Sequence, residues 1–165
     1  MDLERTFVAI KPDGVKRSLV GKIISRFEDV GLKVVAMKML HVDTELAKQH
    51  YYDVGERHGD KVLDNLVQYI TEGPVIAFVL EGVGVIPIVR KLVGSTYPDE
   101  AIPGTIRGDF SHISKAYANA KNFKVANLIH ASANQEDADR EIKLWFKPEE
   151  MHDHRIAAEE ILFNR

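Results

Sequence analysis

The chain has 165 residues, 45% of them hydrophobic and 28% charged, with a formal net charge of −3 and no cysteine. That length is about one domain's worth of chain and buries roughly 68–70% of its unfolded surface, which excludes disordered, collagen-like and low-complexity classes. Disulfides, thiolate metal sites and a cysteine nucleophile are excluded as well, and 22 Lys and Arg against 25 Asp and Glu give no overall drive toward nucleic acid or a membrane surface.

The start, Met1-Asp2-Leu3-Glu4-Arg5, is acidic where a secretory leader is basic, and the longest apolar run, Pro74 to Leu80, is too short to span a bilayer. A cytoplasmic protein with one domain over residues 1–165 is expected. Thr6 to Lys11 reads as a strand stopped by a Pro12-Asp13-Gly14 turn. Val20, Ile23, Ile24 and Phe27 have helical spacing, ending near Gly31. Leu32 to Val42 reads as a second strand, and Thr44 to Asp53 as a helix capped by Asp43 or Thr44. Leu63, Leu66, Val67 and Ile70 predict a helix stopped by Gly73-Pro74, followed by a buried strand, Val75 to Leu80. Val85, Ile88, Val89 and Leu92 are helical again, ending at Gly94. Ser95 to Ser111 has no periodicity and reads as a long loop, Ser111 to Asn122 as a surface helix, and Lys124 to Ile129 as a fourth strand. Asn134 caps a last helix whose inner face carries Ala138, Ile142 and Trp145. Helices and strands alternate without a strict repeat. The expected fold is an α+β, ferredoxin-like sandwich with one four-stranded antiparallel sheet covered by helices. A doubly wound parallel sheet is the alternative, although Lys11-Pro12-Asp13-Gly14 is not its glycine-rich first turn.

No Walker A motif and no H-E-x-x-H is present, and His152-x-His154 alone is a weak metal pattern. Glu141 is more informative. It shares the i, i+3, i+4, i+7 set with Ala138, Ile142 and Trp145, so it faces the core, where a carboxylate needs a donor. The segment before that helix places His130 and Ser132 on one face by their spacing of two. A carboxylate beside such a histidine fixes its tautomer and orients it. A core histidine satisfied by a structural glutamate is the competing reading. Lys11, Arg90 and Arg107 fall at element ends and in the long loop, and together they suggest a phosphate site with a neutral histidine as nucleophile.

Three blocks carry a resemblance: Phe7-Val8-Ala9-Ile10-Lys11-Pro12-Asp13-Gly14-Val15, Pro103-Gly104-Thr105-Ile106-Arg107-Gly108-Asp109-Phe110, and Asn127-Leu128-Ile129-His130-Ala131-Ser132. Together, over about Glu4 to Glu150, the chain resembles the nucleoside diphosphate kinase family. The resemblance implies transfer of the γ-phosphate of a nucleoside triphosphate to a nucleoside diphosphate through a phosphorylated histidine, matched by His130. It implies Ser132 and Glu141 as that histidine's hydrogen-bonding neighbours. Lys11, Tyr51, Arg90, Thr96 and Arg107 match residues that hold the phosphates, and Asn127 one that reaches the sugar 3′-hydroxyl. Asp53 matches an aspartate near the Mg²⁺ ion, which is held mainly through the nucleotide's phosphates. A homo-oligomer is implied, a hexamer first and a tetramer second, with Ser95 to Ser111 and Ile161-Leu162-Phe163 as contact segments. The alternative is a regulatory module of the same fold that binds nucleotide without catalysis.

The chain departs from the family pattern at three places. Ala133 stands where an aspartate often follows the serine, and the segment between Phe110 and Asn127 is longer than in many members. Val62 stands where a phenylalanine usually stacks on the base.

Overall fold

A computed structural model describes residues 3–121 and 123–163. Met1, Asp2, Asn122 (the expected end of the surface helix), the Phe163 side chain, Asn164 and Arg165 lie outside the described residues. The strands are β1 (Glu4–Ile10), β2 (Lys33–His41), β3 (Pro74–Gly82) and β4 (Ile129–Ala131). They form one sheet in the order β2-β3-β1-β4, and every neighbouring pair is antiparallel. The parallel alternative is therefore corrected, and the α+β antiparallel sandwich holds.

The helices are α1 (Pro12–Lys16), α2 (Val20–Glu28), α3 (Thr44–His50), α4 (Val54–His58), α5 (Asp60–Thr71), α6 (Val85–Val93), α7 (Ile106–Phe110), α8 (Lys115–Ala120), α9 (Gln135–Trp145) and α10 (Ala157–Phe163). Side chains alternate across a strand, and both faces of this sheet are covered. Val8, Ile10, Phe78 and Leu80 pack with Ile23 and Phe27 of α2 and Val85 and Val89 of α6. Phe7, Ala9, Ala77 and Val79 pack on the other face with Ala47 of α3, Ile70 of α5 and Trp145 of α9. Burial on both faces is why β1 and β3 read as unbroken apolar runs rather than alternating ones.

Several expectations are corrected. The Pro12-Asp13-Gly14 turn is the first turn of α1, because proline is pre-organised for the start of a helix. The helix expected over 44–53 ends at His50, with Asp43 as its cap (Leu46 N to Asp43 Oδ1, 2.8 Å), and the separate helix α4 follows. The loop Ser95 to Ser111 contains a 3₁₀ turn, Pro98–Glu100, and α7. The surface helix shrinks to α8, capped by Ser114. The fourth strand is not at 124–129 but at Ile129–Ala131. Leu128 has φ of 69°, which breaks the extended run before it.

Candidate active site

β4 pairs with β1 so that Ala9 lies opposite His130 and Ile10 opposite Ile129. Ile129 joins the core under α2 and α6, so His130 turns to the opposite face, with its ring centroid 5.9 Å from that of Phe7. α9 lies over that face and buries Ala138, Glu141 and Trp145. His130 Nε2 donates to Glu141 Oε1 at 2.9 Å. Ser132 Oγ donates to Glu141 Oε2 at 2.6 Å and accepts from the Phe7 amide at 3.3 Å. Burial alone pushes the Glu141 carboxyl up, but His130, Ser132 and Arg140 outweigh it and hold the pKa below the ordinary value. The carboxylate is thus ionised and accepts from Nε2–H, which leaves the Nδ1 lone pair of His130 free. His130 is the one member of this chain of three that reaches solvent; Glu141 and Ser132 are buried.

The segment leading into β4 is fixed from β1, α1 and α5. Asp13 Oδ1 accepts from Tyr69 Oη at 2.6 Å, and Asp13 Oδ2 from the Leu128 amide at 3.1 Å. Tyr69 Oη in turn accepts from the Asn127 amide at 3.1 Å, and the Lys11 amide donates to the Leu128 carbonyl at 2.8 Å. Gly14 permits this close approach, since a Cβ there would lie 2.7 Å from Ile10 Cγ2 and 3.2 Å from the Leu128 carbonyl oxygen.

Lys11 Nζ donates to Asn127 Oδ1 at 2.8 Å. Burial, reinforced by the Arg107 guanidinium and only partly opposed by Asp13, pulls the Lys11 pKa down to about 7. Arg107 donates to four backbone carbonyls, those of Asn127 (3.0 Å), Gly94 (3.1 Å), Ser95 (3.1 Å) and Ile129 (2.6 Å). It therefore ties the 95–111 segment to β4 while keeping its charge at the site. Burial, then the neighbouring Arg90, lowers its pKa to about 10, so it stays charged. Thr105 caps α7, accepting from the Gly108 amide at 3.1 Å and donating to the Ile102 carbonyl at 2.7 Å. Asp109 pairs with Arg26 of α2 at 2.7 Å. The Pro103 to Phe110 block is thus a braced segment that positions a cation.

Of the residues expected to serve catalysis, nucleotide or Mg²⁺, all but Ser132 line one cavity of about 340 Å³: Lys11, Tyr51, Asp53, Val62, Arg90, Thr96, Arg107, Asn127, His130 and Glu141. Ser132 sits behind Glu141. The volume suits a small organic ligand. Tyr51 is buried, with its hydroxyl unpaired, and burial followed by Glu141 raises its pKa, so it remains a neutral phenol. Arg90 is exposed on α6 and makes no side-chain hydrogen bond or ion pair among the described residues. The Thr96 carbonyl accepts from Asn127 Nδ2 at 3.0 Å. Val62, on α5, shares its wall with Leu66 and His58. Asp53 is held by Arg57 at 2.8 Å, so its charge is already balanced. Mg²⁺ takes oxygen ligands and keeps several waters, being bound by one or two carboxylates plus substrate phosphates. Asp53 on the wall fits that modest role. The tighter cluster of His50, His130 and Glu141 is nitrogen-rich and does not suit this ion.

The sequence reading missed His50, Arg140 and Asp137, which also line the cavity. Ala47, His50 and Tyr51 recur at i, i+3, i+4, so the inward direction of His50 was legible. Arg140 reaches Asp137 at 3.3 Å and Glu141 at 3.6 Å, and nothing in the α9 spacing marks it as a site residue.

Residues 4–151 match the family model described as nucleoside diphosphate kinase. The chain belongs to the nucleoside diphosphate kinase family. A nucleoside diphosphate kinase of Borreliella burgdorferi is 54% identical over 157 residues, covering 94% of each chain. A nucleoside-diphosphate kinase structure from Borrelia burgdorferi, a transition-state mimic with bound vanadate and ADP, superimposes with a TM-score of 0.93 at 52% identity, covering 96% of each chain. A halophilic member from Halobacterium salinarum, in complex with CDP, gives a TM-score of 0.84 at 41% identity over 98% of this chain and 99% of the other. These solved nucleoside diphosphate kinases share the helix-covered antiparallel sheet described above.

Proposed function

We propose that the protein moves the γ-phosphate of a nucleoside triphosphate onto a nucleoside diphosphate in two steps, through a phosphohistidine at His130. The observation that carries this reading is the Ser132–Glu141–His130 chain, which presents a free Nδ1 lone pair inside a cavity lined by Lys11, Arg90 and Arg107. In the first step Nδ1 forms the bond to phosphorus while the bond to the bridging oxygen breaks, and the diphosphate leaves with that electron pair. Glu141 accepts from Nε2–H throughout and stabilises the cationic ring that forms. The second step is the first in reverse on another diphosphate. One phosphate site used twice suffices, because donor and acceptor differ only in base and sugar.

Phosphoryl transfer is catalysed mainly by positioning and charge neutralisation. We assign Lys11, Tyr51, Arg90, Thr96 and Arg107 to the phosphates, Asn127 to the sugar 3′-hydroxyl and Val62 to the base. Mg²⁺ supplies charge neutralisation on the phosphate oxygens when bound, and Asp53 is the wall carboxylate assigned to it. A regulatory module without catalysis is not favoured, since it has no use for an oriented, partly exposed histidine among these cations. The reading includes a cytoplasmic homo-oligomer, a hexamer first and a tetramer second, that needs neither nucleic acid nor membrane. No helix among the described residues is long and apolar enough to cross a membrane.

Initial rates with ATP and a second nucleoside diphosphate test the mechanism. Parallel double-reciprocal lines are expected, the signature of a covalent intermediate. Intersecting lines would require both nucleotides to be bound at once and would contradict the phosphohistidine step.

A further inference from the structure

His50 ends α3, and its side chain is fully buried. Trp145 Nε1 reaches His50 Nδ1 at 3.2 Å. An indole nitrogen only donates, so Nδ1 accepts and the proton of the neutral ring sits on Nε2. Burial, followed by His130, Lys11 and Arg140, holds the His50 pKa well below its ordinary value, so the ring stays neutral. Nε2 has no hydrogen-bond partner, and neither has the Tyr51 hydroxyl one residue on. Buried donors are nearly always paired in native proteins, so two orphans side by side call for a reason. Both residues line the cavity that holds His130. The rings of His50 and His130 meet edge to face with centroids 4.5 Å apart, and His50 Nδ1 lies 3.8 Å from Glu141 Oε1, so the two histidines are direct neighbours on the cavity wall.

We propose that His50 Nε2–H donates a hydrogen bond to the phosphoryl group as it moves onto His130, and that Trp145 fixes the tautomer that makes this donor available. The inference rests on the phosphohistidine reading above. While the Nδ1–P bond of His130 forms and the P–O bond to the departing diphosphate breaks, His50 neither gains nor loses a proton. A donor that is unpaired in the free protein and paired only when the phosphoryl group arrives favours the transition state over the ground state, so it raises kcat rather than ground-state affinity. The resemblance and the motifs give His50 no role, and a histidine that merely fills the core beside Trp145 has no need of an orphan Nε2.

Three variants and one spectroscopic measurement test this. His50→Phe keeps a flat ring and removes the donor. His50→Gln restores an N–H donor on a different stem. Trp145→Phe leaves His50 in place and releases its tautomer. In single-turnover experiments with ATP, His50→Phe is expected to slow phosphoenzyme formation by on the order of 10²-fold with ATP affinity nearly unchanged. His50→Gln should recover part of that loss, and Trp145→Phe should be slowed as well. In the parent enzyme, ¹⁵N NMR should find His50 protonated at Nε2, with that signal shifting when the protein is phosphorylated. A His50→Phe protein that phosphorylates at the parental rate overturns the assignment. So does a His50 Nε2 signal that ignores phosphorylation, and this readout needs no variant to fold. A parent that takes up acid-labile phosphate while His50 stays silent loses only the His50 role. A parent that takes up none loses the phosphohistidine reading and this inference with it.

Discussion

The charge of Lys11 depends on what fills the cavity. Burial and Arg107 bring its pKa down to about 7, so in the empty site the amine is only partly protonated near neutrality. Phosphate oxygens favour the charged form and raise that pKa. Above about 7, binding of a nucleotide must therefore take up a proton, and affinity must fall as pH rises further. Calorimetric titration with ATP in two buffers of different ionisation enthalpy checks the sign. Proton uptake is expected at about pH 8 and should fade toward about pH 6, where the amine is already charged. Binding heats that do not depend on the buffer at the higher pH would contradict the linkage. Glu141 shows the opposite balance: burial is outweighed by its two donors, His130 and Ser132, and the Arg140 charge, so its own charge is set before any ligand arrives.

α5 carries one of the three departures from the family pattern, Val62. Val62, 40% exposed, lines the cavity wall at the position proposed for the base. Aromatic stacking on a base is worth about 1–3 kcal/mol. Val62→Phe should lower KM for purine nucleotides with kcat nearly unchanged, because it adds binding equal in ground and transition states. Pyrimidines should gain less. A folded Val62→Phe enzyme with unchanged or raised purine KM would place the base away from this helix. The strands and longer helices were legible because Phe7 to Ile10, Val75 to Leu80 and the α2, α5 and α6 stripes bury continuous or periodic apolar faces. β4 was displaced in the reading because Lys124 to Leu128 has an apolar composition, but its backbone serves Asp13 and Tyr69 instead of a ladder. α7 was missed for a related reason: five residues are too few to show a period, and Thr105 capping with Arg107 anchoring makes the helix a tertiary product. The cavity residues were legible through the resemblance. The Glu141–His130 pair alone followed from spacing, and Arg140 and Asp137 did not, since a charged residue on a helix reads the same in sequence whether or not a cavity lies beside it.

At the scale of the whole molecule, apolar side chains remain on the surface in a few places. Ile102 is 71% exposed within the 95–111 segment, Ile161 is 82% exposed on α10, and Met39 is 60% exposed on the edge strand β2. Edge strands and apolar patches of this kind are ready to be covered. The first two fall in the segments expected to make subunit contacts, which supports the proposed oligomer. Light scattering at micromolar concentration should give a hexamer, or a tetramer as second choice, and a monomer would contradict the assembly. Whatever the number of subunits, transfer through His130 rests on one covalent bond between that histidine and phosphorus. The most direct measurement is incubation of the intact protein with γ-labelled ATP, separation from nucleotide, and treatment of the protein with acid or alkali. The label should be lost in acid and kept in alkali, pass to an added nucleoside diphosphate, and be absent from His130→Ala. A His130→Ala protein that still takes up label and hands it on would contradict phosphoryl transfer through His130.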